Sequence, residues 1–540
     1  MTRISKSILA IALILTASAS YGQGLSTEVV VDRTLETSLP EASPMKNVVP
    51  QLLSASTNDV SLRPADYSLM SNFAPLVANT HLSPYTGLKL NDYKGYAWLG
   101  YFPVYNLGFG AGYSLLRTQR TNAGAALEFN GFSYNNRPTD TGVHSNDIKL
   151  QAYASHSLSN GAHLKFDILY GHDGLKNPGL STGQDKQNIN RFDLKACLSR
   201  YREDGYYDVA LRYNLFGVTR EPIFGLDGLT QHRLLVDATM MSSVDSRIMA
   251  GMDFSAQLHS GAKTQGLFSL TPKADFKTDI FEASLGVNLA IGIHGDGAYF
   301  RASPDVKALL KLFDKAAVYA HIGGGSRISG NADLFDYSPF AVGTIGQNLV
   351  YSPLDAKAGV RLGSFEGFSA DVFAGYSIVR DTPMPVAGPG GSYSSMVFAA
   401  TDIRGWYGGI GLSYSYSDQL DACVRVALGP EGLTSANGQY LDRAKGFLTA
   451  RVAYHPTKEW AAEAGFNLRS GRRFHIYDDN GGSTLNAGNI ADFNLGGKWN
   501  FKENLTFFLR LNNIFNRRPE LLPGLSTQGF HGLLGAEYRF

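Results

Sequence analysis

Over much of the chain, apolar and polar residues exchange places at every second position. Ile148, Leu150, Ala152 and Ala154 interleave with Lys149, Gln151, Tyr153 and Ser155, and Ala162, Leu164, Phe166 and Ile168 with His163, Lys165 and Asp167. The beat returns at Val209, Leu211, Tyr213 and Leu215 against Asp208, Arg212 and Asn214, and at Leu354, Ala356, Ala358, Val360 and Leu362 against Asp355, Lys357, Gly359 and Arg361. Nearer the C-terminus Trp460, Ala462, Ala464, Phe466 and Leu468 enclose Glu463 and Asn467. Phe493, Leu495 and Trp499 enclose Asp492, Asn494 and Lys498, and Leu505, Phe507, Leu509 and Leu511 enclose Thr506 and Arg510. Successive side chains of a strand point to opposite faces, so each stretch reads as a two-faced strand. A helix would scatter the same charges around its whole circumference.

A soluble sheet protein also alternates, with its apolar face turned into a core. Two features point instead to strands that cross a membrane. The segments are about ten residues long, the length of a tilted membrane strand, and often carry an aromatic near one end: Tyr170, Tyr376, Trp406, Tyr454, Trp460 and Trp499. Tight turns such as Ser159-Asn160-Gly161, Glu203-Asp204-Gly205, Phe313-Asp314-Lys315 and Lys502-Glu503-Asn504 also alternate with long connections at 172–190, 217–228, 325–352, 381–405, 429–441 and 470–487. That asymmetry fits short turns at one rim and long loops at the other. The expected fold is all-β, a large transmembrane antiparallel barrel of about 22 strands, in a range of roughly 18 to 24. The count is least defined at the first hairpins, near Tyr105 and Arg120, and at 392–401, which reads either as an extra strand or as part of a loop.

Composition refines this picture without deciding it. The 59 glycines, 28 tyrosines and 31 phenylalanines suit a turn-rich sheet with aromatic girdles. Arg3 and Lys6, the apolar run 8–15 and Ala17-Ser18-Ala19 read as an export signal, placed at 1–23. Beyond it no uninterrupted apolar stretch reaches the roughly 18 residues of a membrane helix. Residues 24–93 form a proline-containing segment, periplasmic or lumenal, with Pro40, Pro44, Pro50, Pro64, Pro75 and Pro84, and the barrel is expected over 94–540. A formal net charge of +1 gives no reason to invoke nucleic acid. Cys197 and Cys423 could form one disulfide in an exported chain, yet they lie on well-separated strands.

The ends of the chain carry sharper signals. Phe530, Gly532, Leu534, Ala536, Tyr538 and Phe540 share one face of a terminal strand that stops on an aromatic. This resembles the signal read by outer-membrane barrel-assembly machinery, with Phe530, Leu534, Tyr538 and Phe540 as its residues. The stretch 507–518, with Leu511-Asn512-Asn513-Ile514-Phe515-Asn516, followed by the strand ending Tyr538-Arg539-Phe540, resembles the C-terminus of TonB-dependent receptors. Glu28-Val29-Val30-Val31-Asp32-Arg33 and Leu39-Pro40-Glu41-Ala42 are similar to the start of TonB-dependent-receptor-like barrels of the Bacteroidetes type. The chain departs from that family in one respect. Residues 24–93 are too short and too proline-rich for the globular plug that such receptors carry before the barrel. Glu28, Val29, Val30, Val31 and Asp32 read either as a strand that adds to a partner's sheet edge or as a simple tether.

The search for chemistry yields little. Gly108-Phe109-Gly110-Ala111-Gly112 lacks the helix that a nucleotide loop needs and reads as small residues in a crowded strand. Asp478-Asp479-Asn480-Gly481-Gly482 lacks the closing acidic residue of a calcium loop and reads as a solvated turn. The histidines show no zinc spacing, and His321, before Gly323-Gly324-Gly325, reads as a strand-end residue. Ser199, Ser326 and His163 are nucleophile and base types with nothing in the sequence to bring them together. Neither an enzyme nor a cofactor is expected. Parity sends Lys149, Lys165, Asp167, Asp193, Lys195, Asp208, Arg212, Asp355, Lys357, Arg361, Asp371, Arg425, Arg451, Glu463, Lys498 and Arg510 to the lumen, and their mixed signs argue against a strongly ion-selective funnel. The resemblance implies a transport or channel role for a solute, with the lumen plugged by long loops or by 24–93. The alternative is an envelope scaffold or receptor that binds other envelope proteins. Expected partners are outer-membrane lipid, the barrel-assembly machinery, and an energy-coupling or other envelope protein.

Overall fold

The computed structural model describes residues 93–540 apart from short internal stretches, the longest being 177–184, 387–395 and 430–444. The expected export signal, the segment 24–93 apart from Tyr93, and the partner strand at 28–32 lie outside the described residues. Among the described residues the main sheet holds 23 strands, of which 22 join edge to edge in a closed antiparallel barrel. Closure is made by the first strand, Gly95–Phe102, against the last, His531–Arg539, in register from Tyr96↔Arg539 to Tyr101↔Leu534. Phe540 completes the seam. Its carbonyl accepts from the N–H of Gly95 at 2.9 Å, and its own N–H donates to the Gly95 carbonyl at 3.0 Å.

Of the uncertain places, the first hairpins and residues 396–401 are described, and 392–395 lie outside the described residues. The first hairpins are Gly95–Phe102, Asn106–Arg117 and Thr121–Asn136, and 396–401 opens the long strand Met396–Tyr416. No described helix is long and apolar enough to cross a membrane. The strands carry the apolar surface instead: Phe166, Ile168, Leu211, Phe254, Leu270, Leu285, Val287, Ile291, Val372 and Ile410 are all exposed. So large a belt of exposed apolar side chains is untenable in water. Trp460 and Trp499 stack at 5.5 Å with an interplanar angle of 9°, and Trp499 also meets Phe501 and Phe507 at the end of the barrel that holds the C-terminus.

Turns at that end are closed by the residue types that favour them. Thr118 and Thr278 accept, through Oγ1, from the N–H of Thr121 and Phe281, and Asp245 accepts from the N–H of Arg247 and Ile248. At the opposite end the structure differs from the expected ten-residue segments, for the barrel strands run from 8 to 21 residues. The stretches 172–190 and 381–405, expected as loops, are largely ladder: His163–Lys176 pairs with Lys186–Arg202, and Phe368–Val386 with Met396–Tyr416. Alternation marks only the part of a strand whose two faces meet different media, while pairing can continue beyond it into polar sequence. His321 is likewise corrected. It sits inside the strand Ala316–Ile328, because Gly323-Gly324-Gly325 bends that strand rather than ending it.

The row Gly108, Gly110 and Gly112 lies under two rings. A Cβ on Gly110 would come within 2.3 Å of Trp98 Nε1, and one on Gly112 within 2.5 Å of the Tyr96 ring. These glycines form a shelf for Trp98, which is buried against Phe508 and Leu533.

Candidate functional site at the mouth and along the charged wall

Between the exposed apolar positions the strands carry charge, arranged largely in cross-strand ties. Lys149 lies 2.6 Å from Asp147. Asp167 is the pairing partner of Lys195, which stands opposite Arg212 on its other side, and Lys165 is paired with Cys197. Arg212 reaches Asp237 at 3.7 Å, Asn214 donates to Asp193, and the Tyr201 hydroxyl donates to Asp208 at 3.3 Å. Arg361 meets Asp371 at 3.4 Å, and Asp371 also accepts from the Tyr319 hydroxyl at 2.8 Å. Asp355 accepts from the Tyr407 hydroxyl at 2.7 Å, and Lys357 Nζ lies 5.9 Å from the Phe373 ring centre. Arg451 meets Glu463 at 3.2 Å, and Arg425 stands opposite Gly411 and Thr449. Glu463, Lys498 and Arg510 line one pocket with Phe508, over whose ring the Arg510 guanidinium sits at 5.0 Å.

The candidate nucleophiles and ligands do not assemble. Register sets His163 opposite Ser199, but His163 Nδ1 is 3.0 Å from the Ser157 hydroxyl on an exposed turn. Cys197 and Cys423 are both free. Among the described residues no group of three His, Cys, Asp or Glu side chains could hold a metal ion. Of the 478–482 stretch, Asp479 and Asn480 lie outside the described residues, and Asp478 pairs with Gly481 in the ladder of Arg473–Asp478 with Gly481–Asn486.

Sequence reasoning missed what the other end of the barrel does. The ladder between Gly297–Phe313 and Ala316–Ile328 stops at Val306↔Ile322. Beyond it the second strand bends at a bulge between Gly323 and Gly325 and continues paired only with Leu349–Phe365. A Cβ on Gly324 would meet the Ser352 carbonyl at 2.5 Å, so the bend requires glycine there. The bend brings Ile328 onto Leu267 and Ala290, side chains of strands that are not its neighbours.

From there the chain crosses the mouth. The helix Asn331–Tyr337 docks on charged and polar side chains of two strands, Lys186–Arg202 and Leu229–Ser243. Arg233 holds Asp333 at 3.2 Å, Arg191 pairs with Asp336, and Gln231 Oε1 accepts from the Asn331 N–H at 2.7 Å. Gln187 and Arg220 donate to the carbonyls of Pro339, Ala341 and Val342. The segment Ala341–Ile345 then pairs in parallel with Met396–Ala399, on a strand far around the sheet from those the helix touches. In a closed barrel such a connection runs through the interior.

An apolar cluster fills the same space. Leu334, Phe335 and Phe340 from the crossing segment meet Ile189, Phe216 and Val218 from one side, and Val350, Val379, Met396, Phe398 and Ile403 from the other. Leu522 and Leu525 join it from a second inward loop. That loop is tied down by polar residues buried to near zero exposure. Asn136 donates to the Gly524 carbonyl and accepts from Ser526 N–H, while Arg472 donates to the carbonyls of Glu520, Leu521 and Gly488. Arg220, at the tip of its strand and well past the exposed Leu211, is drawn by burial down to about 10, partly offset by Asp227. It remains charged at neutral pH.

One signal in the sequence could have found this wall. Arg191 shares parity with Asp193, and Arg233 with Asp237, so extending the alternation past the apolar stretch would have assigned both to the charged face.

No family model matches the chain, and no curated protein matches it in sequence. Solved structures match its fold. The FrpB iron transporter from Neisseria meningitidis (F3-3 variant) superposes with a TM-score of 0.64 at 12% identity, covering 83% of this chain and 81% of that one. A ferric enterobactin receptor (PfeA) from Pseudomonas aeruginosa gives 0.60 at 12%, covering 83% and 80%. The copper transporter OprC gives 0.60 at 11%, covering 83% and 80%. At such identities the likeness is one of fold, a large closed antiparallel barrel.

Proposed function

We propose that this chain is an outer-membrane barrel with a transporter role for a solute, its charged face lining an aqueous interior and its mouth shut by its own inward loops. The carrying observation is the apolar cluster through which opposite sides of the wall meet Leu334, Phe335, Leu522 and Leu525. A barrel of this strand number would otherwise leave an open hole, which outer membranes normally plug. The paired charges on the wall and the exposed apolar belt support an inner and an outer face. The folds it is similar to belong to an iron transporter, a ferric enterobactin receptor and a copper transporter, which favours transport over catalysis without naming a solute.

The test is conductance in planar bilayers. The full chain is expected to be nearly silent, and a chain with residues 331–345 replaced by a short glycine linker is expected to show steady, weakly ion-selective current. Silence in the shortened chain, or free conductance in the full one, would overturn the reading of the loops as the closure. Coupling to an energy source through residues 28–32 belongs to the same proposal, and crosslinks from Val30 to an inner-envelope partner in whole cells would support it.

A further inference from the structure

Three arginines on the mouth side of the charged wall cluster around the crossing helix. Arg191 and Arg233 each hold one helix carboxylate, Asp336 and Asp333. Arg327, on the bent strand, is close enough to Asp333 and Arg233 to feel both charges. Asp193 on the wall senses Arg191, Arg233 and Asp336, so these groups form one electrostatic cluster. The cluster is rich in donors beyond what the helix uses. Nε of Arg233 and both Nε and Nη2 of Arg327 are buried with no hydrogen-bond partner, while Nε of Arg191 faces the wall carboxylate Asp173 at 3.9 Å. Beside them His259, 1% exposed, has neither ring nitrogen hydrogen-bonded.

A guanidinium presents planar paired donors that fit a carboxylate or phosphate. Even with Asp173 beside Arg191, the guanidinium groups of Arg233 and Arg327 keep buried donors that Asp333 and Asp336 leave unused. The helix that carries those carboxylates is only seven residues long, too short to persist on its own, and is held by its docking. Asp333 is used twice over, since it also accepts from the Gly330 N–H at 2.9 Å.

We propose that Arg191, Arg233 and Arg327 form the binding site for a multiply charged soluble anion, bearing clustered carboxylates or phosphates, and that Asp333 and Asp336 occupy it as internal stand-ins. Binding of the anion and undocking of the helix are then one exchange: the solute takes the guanidinium donors, and the helix carboxylates are released to water. Because the competitor is tethered, its effective concentration is high and the apparent affinity for the solute is held down. Transport gives this exchange its purpose, and in that sense the inference rests on the function proposed above. The binding step itself does not require conduction.

The experiment uses the full chain in detergent and inorganic pyrophosphate as probe, by calorimetry at low salt. Asp333→Asn with Asp336→Asn removes the internal competitor, and binding is expected to tighten at least tenfold over the unaltered chain. Adding Arg191→Gln and Arg233→Gln to that variant should abolish it. Asp336 is exposed, so Asp336→Asn alone should fold normally and tighten binding about threefold. If the helix only braces the barrel, neutralising its carboxylates will raise the protease sensitivity of 331–345 while leaving pyrophosphate binding unchanged. That result overturns the proposal, as does binding that survives loss of the two arginines. A barrel that never conducts yet shows the tenfold tightening would sink the transport reading and leave the anion site standing.

Discussion

At the residue scale, single polar side chains hold the mouth loops. Arg472 is 1% exposed and donates to the carbonyls of Glu520 at 2.8 Å and Leu521 at 2.5 Å. Arg472→Met keeps the volume but leaves those carbonyls without a charged donor. Hydrogen exchange across 513–530 should show local opening made easier by about 3 kcal/mol. Asn513 and Asn516 explain the motif at 511–516, for both adopt positive φ, at 46° and 50°. Asn513 Nδ2 donates to the carbonyls of Arg517 and Gln528, and Asn516 Oδ1 accepts from the Phe530 N–H, so the two asparagines start and close the loop. Asparagine tolerates that backbone better than other side chains and supplies its own turn bonds. A different test concerns the glycine shelf. Gly110→Val would push Trp98 from its site at a cost of roughly 1–3 kcal/mol. Much of that should be recovered in the double variant with Trp98→Ala, measured as unfolding midpoint in detergent.

At the element scale, the bend at Gly323-Gly324-Gly325 makes the mouth possible. It frees one strand from its neighbour and aims the crossing segment inward. Gly324→Val places a branched side chain against the Ser352 carbonyl and Ser303 Cβ, 2.5 and 2.8 Å from the new Cβ. The expected outcome is a barrel that still assembles but in which 331–345 becomes cleavable by added protease. A resistant segment would show that the bend is not what positions it. The triple glycine was plain in the sequence, and so was a strand ending near His321. What the sequence did not reveal was that the strand continues past the glycines, since alternation says nothing about a partner's register.

For the whole molecule, closure is the decisive fact, and the last residue takes part in it. Phe540 contributes two backbone hydrogen bonds to Gly95, and its ring stacks on Tyr113 and Tyr538. Deleting Phe540 should lower the yield of the heat-modifiable, compact form on unheated gels several-fold in cells. Refolding of the same chain from denaturant into detergent should suffer much less if the residue acts as an assembly signal. Equal losses in both would assign Phe540 to seam stability alone. Barrels have no free edge when the first and last strands meet, so weakening this one seam exposes the entire sheet to mispairing.

The sequence by itself determined that the chain is a large two-faced antiparallel sheet and bounded its strands at roughly 18 to 24, because the two-residue beat is a local property of each strand and the turns between them are local too. The close ties among charges, such as Arg361 with Asp371, follow once those strands are set side by side. Only the tertiary structure decided that the ladders extend far past the apolar belt, that the glycine bend turns a strand inward, and that Asp333 and Asp336 meet Arg233 and Arg191. Those contacts join residues about a hundred or more positions apart across an enclosed space. No periodicity in a linear chain encodes which loop will reach across a barrel that closes only when its last strand finds its first.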